Sequence, residues 1–162
     1  MAGAARSQGS GTRASAYDNM INMMEPTSAI MNAGSHSVVV KSPVDRVYEW
    51  WSRLEDLPKF IPPLQDVRRI DDAHFSYKWQ PDRAEKKGVF HIVLQIPGRR
   101  IAWRNMSNGF MSGVVSFEPR SQEETEVTLK IRSIFDPPSL LRRVEEYLGN
   151  FKRLVEREVT KQ

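Results

Sequence analysis

The sequence predicts an α+β domain: a curved antiparallel meander sheet wrapped around a long C-terminal helix, with two short helices after the first strand. Three observations predict it. A run of strand-like segments in the middle of the chain is broken by turns too short for parallel crossovers. The last helix carries a broad apolar stripe at helical spacing. The chain has 162 residues, 40% of them apolar and 27% charged, which suits one globular domain able to bury a core.

The elements follow in order. Residues 1–34 are rich in Gly, Ala, Ser and Asn, carry few charges and hold no sustained period, so they are expected to form a disordered or weakly ordered tail ahead of a folded domain at 35–162. Within the tail, Met20, Ile21, Met23 and Met24 form a short apolar cluster that Pro26 keeps from growing into a long helix. Ser37 to Lys41 is a β-branched run, expected as a strand. Ser42-Pro43 then reads as a helix start, with Ser42 as N-cap, Pro43 where its missing N–H costs nothing, and Asp45 facing the positive end of the dipole. Val44, Val47, Tyr48 and Trp51 fall at i, i+3, i+4 and i+7 and give that helix one buried face. A second helical segment, Leu54 to Phe60, is closed by Pro62-Pro63.

Six further strands are expected at 65–70, 74–80, 87–96, 100–105, 111–118 and 124–134. Asp71-Asp72, Pro97-Gly98 and Asn108-Gly109 supply turn chemistry between apolar runs. Val127, Leu129 and Ile131 alternate with Thr128, Lys130 and Arg132, so the last strand has one covered face. After Asp136-Pro137-Pro138 comes the longest helix. Its stripe of Leu141, Val144, Leu148, Phe151 and Val155, widened by Leu140, Tyr147 and Leu154, faces the sheet.

Several function classes are made improbable by composition. The formal net charge is +4, from 24 basic and 20 acidic side chains without a like-charge block, which argues against a nucleic-acid protein. With no cysteine there is no disulfide and no thiolate ligand or nucleophile, and a reducing, cytoplasmic setting is expected. No apolar stretch is long enough for stable membrane insertion. His36, His74 and His91 lack ligand spacing, so no metal is expected, and no motif calls for a cofactor. Gly9-Ser10-Gly11 lacks the strand and helix of a nucleotide loop.

The stretch from Val38 to Ile70, with its strand, Pro-Val helix start, aromatic-rich helix and Leu57-Pro58-Lys59-Phe60 turn, resembles the START-like (SRPBCC) superfamily. So do the strand Arg100 to Arg104 around Trp103, the Gly113-Val114-Val115-Ser116-Phe117 strand, and Leu148-Gly149-Asn150-Phe151-Lys152 in the last helix. This superfamily includes polyketide aromatase/cyclases and dehydrases, coenzyme Q-binding proteins and plant ligand-binding allergens. The resemblance spans about residues 36 to 160 and implies the helix-grip (Bet v 1-like) fold, with an apolar cavity between sheet and helix. It is weak for function, because one scaffold hosts cyclases, carriers and inert binders.

Strand alternation puts Phe75, Tyr77 and Trp79 on one face, expected to be the inner one. Trp103, Phe117 and Leu129 are their companions, with Met111 and the turn around Phe60 near the mouth. Such a lining suits a flat or long apolar ligand: a polyketide, quinone, isoprenoid or lipid. The same rings could instead fill a closed core, and it is the resemblance that favours the cavity. A cyclase would need a donor to polarise a carbonyl and a base to take an acidic C–H proton. Tyr77 is the first candidate by position, with His91 and Arg104 behind it. His91 lies among apolar neighbours, yet belongs to the alternate set His91, Val93, Gln95, whose opposite set Phe90, Ile92, Leu94, Ile96 is expected to face inward.

Three functions therefore stand side by side: a binder or carrier of a hydrophobic small molecule, a polyketide cyclase or dehydrase, and a protein-interaction module with a closed core. The chain is expected to be a monomer or homodimer. A carrier predicts a large dry cavity, an enzyme predicts converging inward polar groups, and an interaction module predicts a filled interior with an exposed apolar patch.

Overall fold

The computed structural model describes residues 32–80, 83, 85–105, 111–133 and 137–161, with backbone alone at 32–33, 111, 133, 137–140 and 158–161. Residues 1–31 of the expected tail, with the Met20 to Met24 cluster and Gly9 to Gly11, and the Asn108-Gly109 turn lie outside the described residues, whereas residues 32–34, expected in the tail, are paired as the start of the first strand. The described elements are strand β1 (Asn32–Val40), helix α1 (Val44–Ser52), a 3-10 segment (Leu54–Lys59), β2 (Leu64–Arg69), β3 (His74–Trp79), β4 (Lys86–Ile96), β5 (Arg100–Asn105), β6 (Met111–Ser121), β7 (Glu124–Ser133) and α2 (Pro137–Lys161).

The seven strands form one antiparallel sheet in the order β1-β7-β6-β5-β4-β3-β2, a meander from β2 to β7 closed by β1 against β7. Pro97-Gly98 makes the β4–β5 turn: Arg99 N–H reaches Ile96 C=O at 2.9 Å, and Gly98 takes φ 73°, a value that suits glycine. Helix α2 packs Val144, Leu148, Phe151 and Val155, all essentially inaccessible, against inner-face residues such as Val115, Val127 and Leu129. Its edge contact with β1 is polar. Lys152 Nζ donates to Val39 C=O at 2.6 Å, while the Glu156 carboxylate accepts from Lys152 Nζ (2.7 Å) and from Lys41 N–H (3.0 Å).

Three local expectations are corrected. Ser42 is not the N-cap of α1: Pro43 is, and its carbonyl receives Arg46 and Val47 N–H at 3.1 Å without any side-chain cap. Ser42 is held one residue earlier because its carbonyl accepts the Thr125 hydroxyl at 2.8 Å, and its own Oγ is buried without a hydrogen-bond partner among the described residues. Leu141 is 48% exposed, so among the described side chains of α2 the buried stripe starts at Val144.

The third correction concerns β4. Ile92 pairs with Trp103 but Leu94 pairs with Ala102, so Val93 is an extra residue in the ladder, a β-bulge. A one-residue insertion reverses every later side chain. Phe90 and Ile92 face α2 as expected, whereas Leu94 and Ile96 turn to the opposite face and Gln95, opposite Ile101, turns inward. A second bulge interrupts β2 at Asp66, which takes φ 51°, and it keeps Leu64 and Val67 on one face with Arg69 following, opposite Phe75.

Candidate ligand cavity

The interior is built from aromatic rings. Trp51 of α1, Phe60 at the end of the 3-10 segment and Phe151 of α2 meet pairwise with ring centroids 4.8–5.4 Å apart and planes at about 60°, the tilted geometry that aromatic pairs favour. Asn150 Nδ2 ties the turn to α2 by donating to Phe60 C=O at 3.1 Å. On the sheet, two rings lie over glycines of neighbouring strands. Tyr77 covers Gly88, where a Cβ would come within 2.7 Å of its ring and hydroxyl, and Trp103 covers Gly113, where a Cβ would stand 2.6 Å from Cζ2. Glycine at these two positions lets the rings lie flat on the sheet.

Between these layers lies an apolar-walled cavity of about 50 Å³. Trp79, Phe90, Trp103 and Leu129 line it from the sheet, Trp51 from α1 and Tyr147 from α2, with Leu54, Ile61, Leu64, Ile92 and Ile131 completing the wall. Three of the chain's four tryptophans therefore face one space. The space is well below the roughly 300–1,000 Å³ of ordinary small-molecule pockets, so the large cavity expected of a carrier is not open in this conformation.

The residues singled out in the sequence divide into three groups. Trp79, Trp103 and Leu129 stand on the cavity wall. Phe60, Phe75, Tyr77 and Phe117 are buried in the surrounding core behind that wall. The side chain of Met111 lies outside the described residues. Trp51 and Tyr147 were legible only as members of apolar helix stripes, a pattern that gives no sign of which stripe residues border a void.

Tyr77 stacks on Phe90 at 4.3 Å, and its hydroxyl receives a hydrogen bond from Asn105 Nδ2. Burial pushes its pKa above the usual phenol value, against the lowering effect of that bond. The phenol is thus held neutral, behind the cavity wall. His91 and Arg104 are elsewhere. They face each other across β4 and β5 on the sheet face opposite Tyr77, in a row His74, His91, Arg104, Ser112, Arg132. His91 stacks on His74 at 4.6 Å, with planes 4° apart, and His74 Nδ1 lies 2.8 Å from the Asp71 carboxylate. Burial, then the charges of His74 and Arg104, depress the His91 pKa despite the opposing pull of Asp71. The backbone N–H of Ala73, followed by the His74 ring, holds the Asp71 carboxyl below its usual range. The structure therefore does not bring Tyr77, His91 and Arg104 together. Among the described residues no cluster of His, Asp or Glu could hold a metal ion, and no helix is long and apolar enough to cross a membrane.

Comparison with known proteins agrees with this architecture. Residues 40–160 match the model of the family described as polyketide cyclase/dehydrase and lipid transport. An uncharacterised protein of Streptomyces lincolnensis is 27% identical over 124 residues, 76% of this chain and 81% of that protein. Among solved structures, a Deinococcus radiodurans protein superposes with a TM-score of 0.62 at 23% identity, covering 75% of this chain and 95% of that one. The aromatase/cyclase Zhui of a Streptomyces species gives 0.61 at 18% identity, covering 80% and 96%. The di-domain aromatase/cyclase StfQ of the steffimycin biosynthetic pathway gives 0.67 at 19% identity; the alignment covers 78% of this chain and 45% of that protein. At these identities the structural likenesses carry the fold alone.

Proposed function

This chain belongs to the family described as polyketide cyclase/dehydrase and lipid transport, and from that premise we propose that it binds a flat or extended hydrophobic small molecule in the cavity between sheet and α2. One observation carries the reading: among the described residues the cavity is walled by aliphatic and aromatic side chains, supplied by α1, the 3-10 segment, the sheet and α2 together. A wall of that kind gains by covering apolar surface, about 25 cal/mol per Å² removed from water. The cavity's present size calls for the wall to yield when ligand enters. Ile61, Trp79, Ile92, Trp103 and Ile131 are the wall residues that are only partly buried. Candidate ligands are polyketides, quinones, isoprenoids and lipids.

Binding is preferred over cyclase chemistry because the polar groups that a cyclase would use do not converge. Tyr77 is engaged by Asn105 behind the wall, and His91 and Arg104 occupy the other face of the sheet. It is preferred over an interaction module because the large apolar side chains exposed among the described residues, Val39, Ile70 and Leu141, come from β1, the β2–β3 turn and α2 respectively.

Titration with a neutral apolar naphthylamine dye tests the reading. The wild-type protein is expected to take up one equivalent with a rise in emission. Ile131→Phe, which enlarges a side chain on the cavity wall, is expected to abolish uptake at a stability cost of no more than about 1–3 kcal/mol. Equal uptake by both proteins would place the dye elsewhere and overturn the assignment.

A further inference from the structure

The tip of the β2–β3 hairpin is fastened to β4 by two stacked imidazoles. His74 and His91 stand directly across from each other on β3 and β4, with ring centroids 4.6 Å apart and planes 4° apart. One carboxylate oxygen organises the turn beside the stack. Asp71 Oδ1 accepts the backbone N–H of Ala73 and of His74, both at 2.9 Å, and lies 2.8 Å from His74 Nδ1. The backbone ties the same turn to β4: Ile92, the residue after His91, donates its N–H to Ala73 C=O at 2.7 Å. Ile92 is also a wall residue of the aromatic cavity, as is Phe90 on the other side of His91. A single residue step therefore separates the stack on one face of β4 from the cavity on the other.

The geometry favours the neutral form of His91. Its Nδ1 is buried and has no hydrogen-bond partner among the described residues. A neutral ring can leave that nitrogen without a proton, whereas an imidazolium carries N–H on both nitrogens and would bury a charged donor with no acceptor. Three ionisable groups face the ring: His74 from β3, Asp71 from the β2–β3 turn and Arg104 from β5. Val89, two residues earlier on the same strand, adds no charge. Burial first, and then the charges of His74 and Arg104, hold His91 below its ordinary pKa against the pull of Asp71. Asp71 is itself held below the usual carboxylate range, first by the Ala73 N–H and then by the His74 ring, so it stays ionised at mildly acidic pH.

We propose that the His74–His91 stack is an acid-sensitive latch: a proton taken up by His91 breaks the stack, frees the hairpin tip from β4 and opens the aromatic cavity at Ile92, releasing ligand. The proposal rests on the reading of that cavity as a ligand site and adds its regulation. With its ring turned out to water His91 titrates near its ordinary 6.5, while the stacked ring holds the depressed value. The open form therefore binds the proton first as pH falls. The latch is closed above pH 6.5 and opens below it.

Two measurements on the full chain test it. Affinity of the wild type for the neutral apolar dye is expected to fall severalfold between pH 7.5 and pH 5. His91→Phe keeps a flat ring against His74 but cannot titrate, so it is expected to match wild type at pH 7.5 and to hold its affinity at pH 5. Amide hydrogen exchange, corrected for the intrinsic rate at each pH, is expected to quicken in wild type at Ile92 on acidification while Leu148 in α2 stays protected. That comparison needs no variant and decides the matter even if His91→Phe does not fold. Wild-type affinity or Ile92 exchange unchanged by acid would overturn the latch and leave the cavity standing. Equal loss of affinity in wild type and variant would also overturn it, and would move the pH response to another group such as His36, whose ring lies 3.7 Å from Glu145. Absence of dye uptake by wild type at pH 7.5 would remove the ligand-site reading itself, and this proposal with it.

Discussion

The two faces of the central strands carry different side chains, aromatic rings on one and a polar row on the other. On the face toward α2, Tyr77, Phe90 and Trp103 lie flat over the sheet, each ring fixed by a glycine or another ring. On the opposite face, His74, His91 and Arg104 line up across three strands as a polar row. A single backbone step separates His91 from Phe90, and that step decides whether a side chain borders the candidate ligand site. Residue chemistry alone does not locate a site in a sheet; parity does, and parity is reset at each bulge.

Substitutions on the two faces should separate them. The largest effect is expected for Phe151→Ala, which removes the ring joining Trp51 and Phe60. About 3–5 kcal/mol should be lost in denaturant unfolding, and a cost under about 1 kcal/mol would mean the three-ring cluster is not a structural centre. Next come Gly88→Ala and Gly113→Ala. Each forces a Cβ into an overlying ring and should cost about 1–3 kcal/mol. The same replacement at Gly149, where a Cβ meets nothing closer than 3.5 Å, should be neutral or slightly stabilising because alanine favours helix.

Tyr77→Phe should cost about 1 kcal/mol, from the loss of the acceptor for Asn105, and should leave dye binding intact. If it instead abolished turnover of a poly-carbonyl substrate, the cyclase reading would regain weight. The smallest effect belongs to the opposite face. The His91 pKa is depressed below its ordinary 6.5 in the folded state, so the unfolded chain binds the proton first as pH falls. Stability is therefore expected to be full above pH 6.5 and to decline below it, until pH passes the depressed folded value and both states are protonated. His91→Leu should flatten that decline in thermal unfolding followed across the same range. An unchanged slope would show that other groups dominate it.

Most of the fold was legible in the sequence because its signals are local. Pro97-Gly98 fixes a turn, the alternation of Val127, Leu129 and Ile131 fixes a face, and the spacing of Val144, Leu148, Phe151 and Val155 fixes the covered side of α2. The features that shape the candidate site were harder to read. Period-two alternation extrapolated along β4 puts Leu94 and Ile96 inside, and nothing in Val89 to Ile96 marks Val93 as the extra residue. Ser42 has the chemistry of an N-cap, but a long-range bond from Thr125 holds it in another role. Whether Phe75 or Trp79 borders a void depends on how rings from four elements pack, which no single segment encodes.

The most direct test of the central claim is native mass spectrometry of the protein purified from cells, followed by solvent extraction of whatever small molecule it carries. The account predicts a single apolar or amphipathic molecule bound one to one, absent from Ile131→Phe. A clean wild-type protein that also takes up no apolar dye would contradict it.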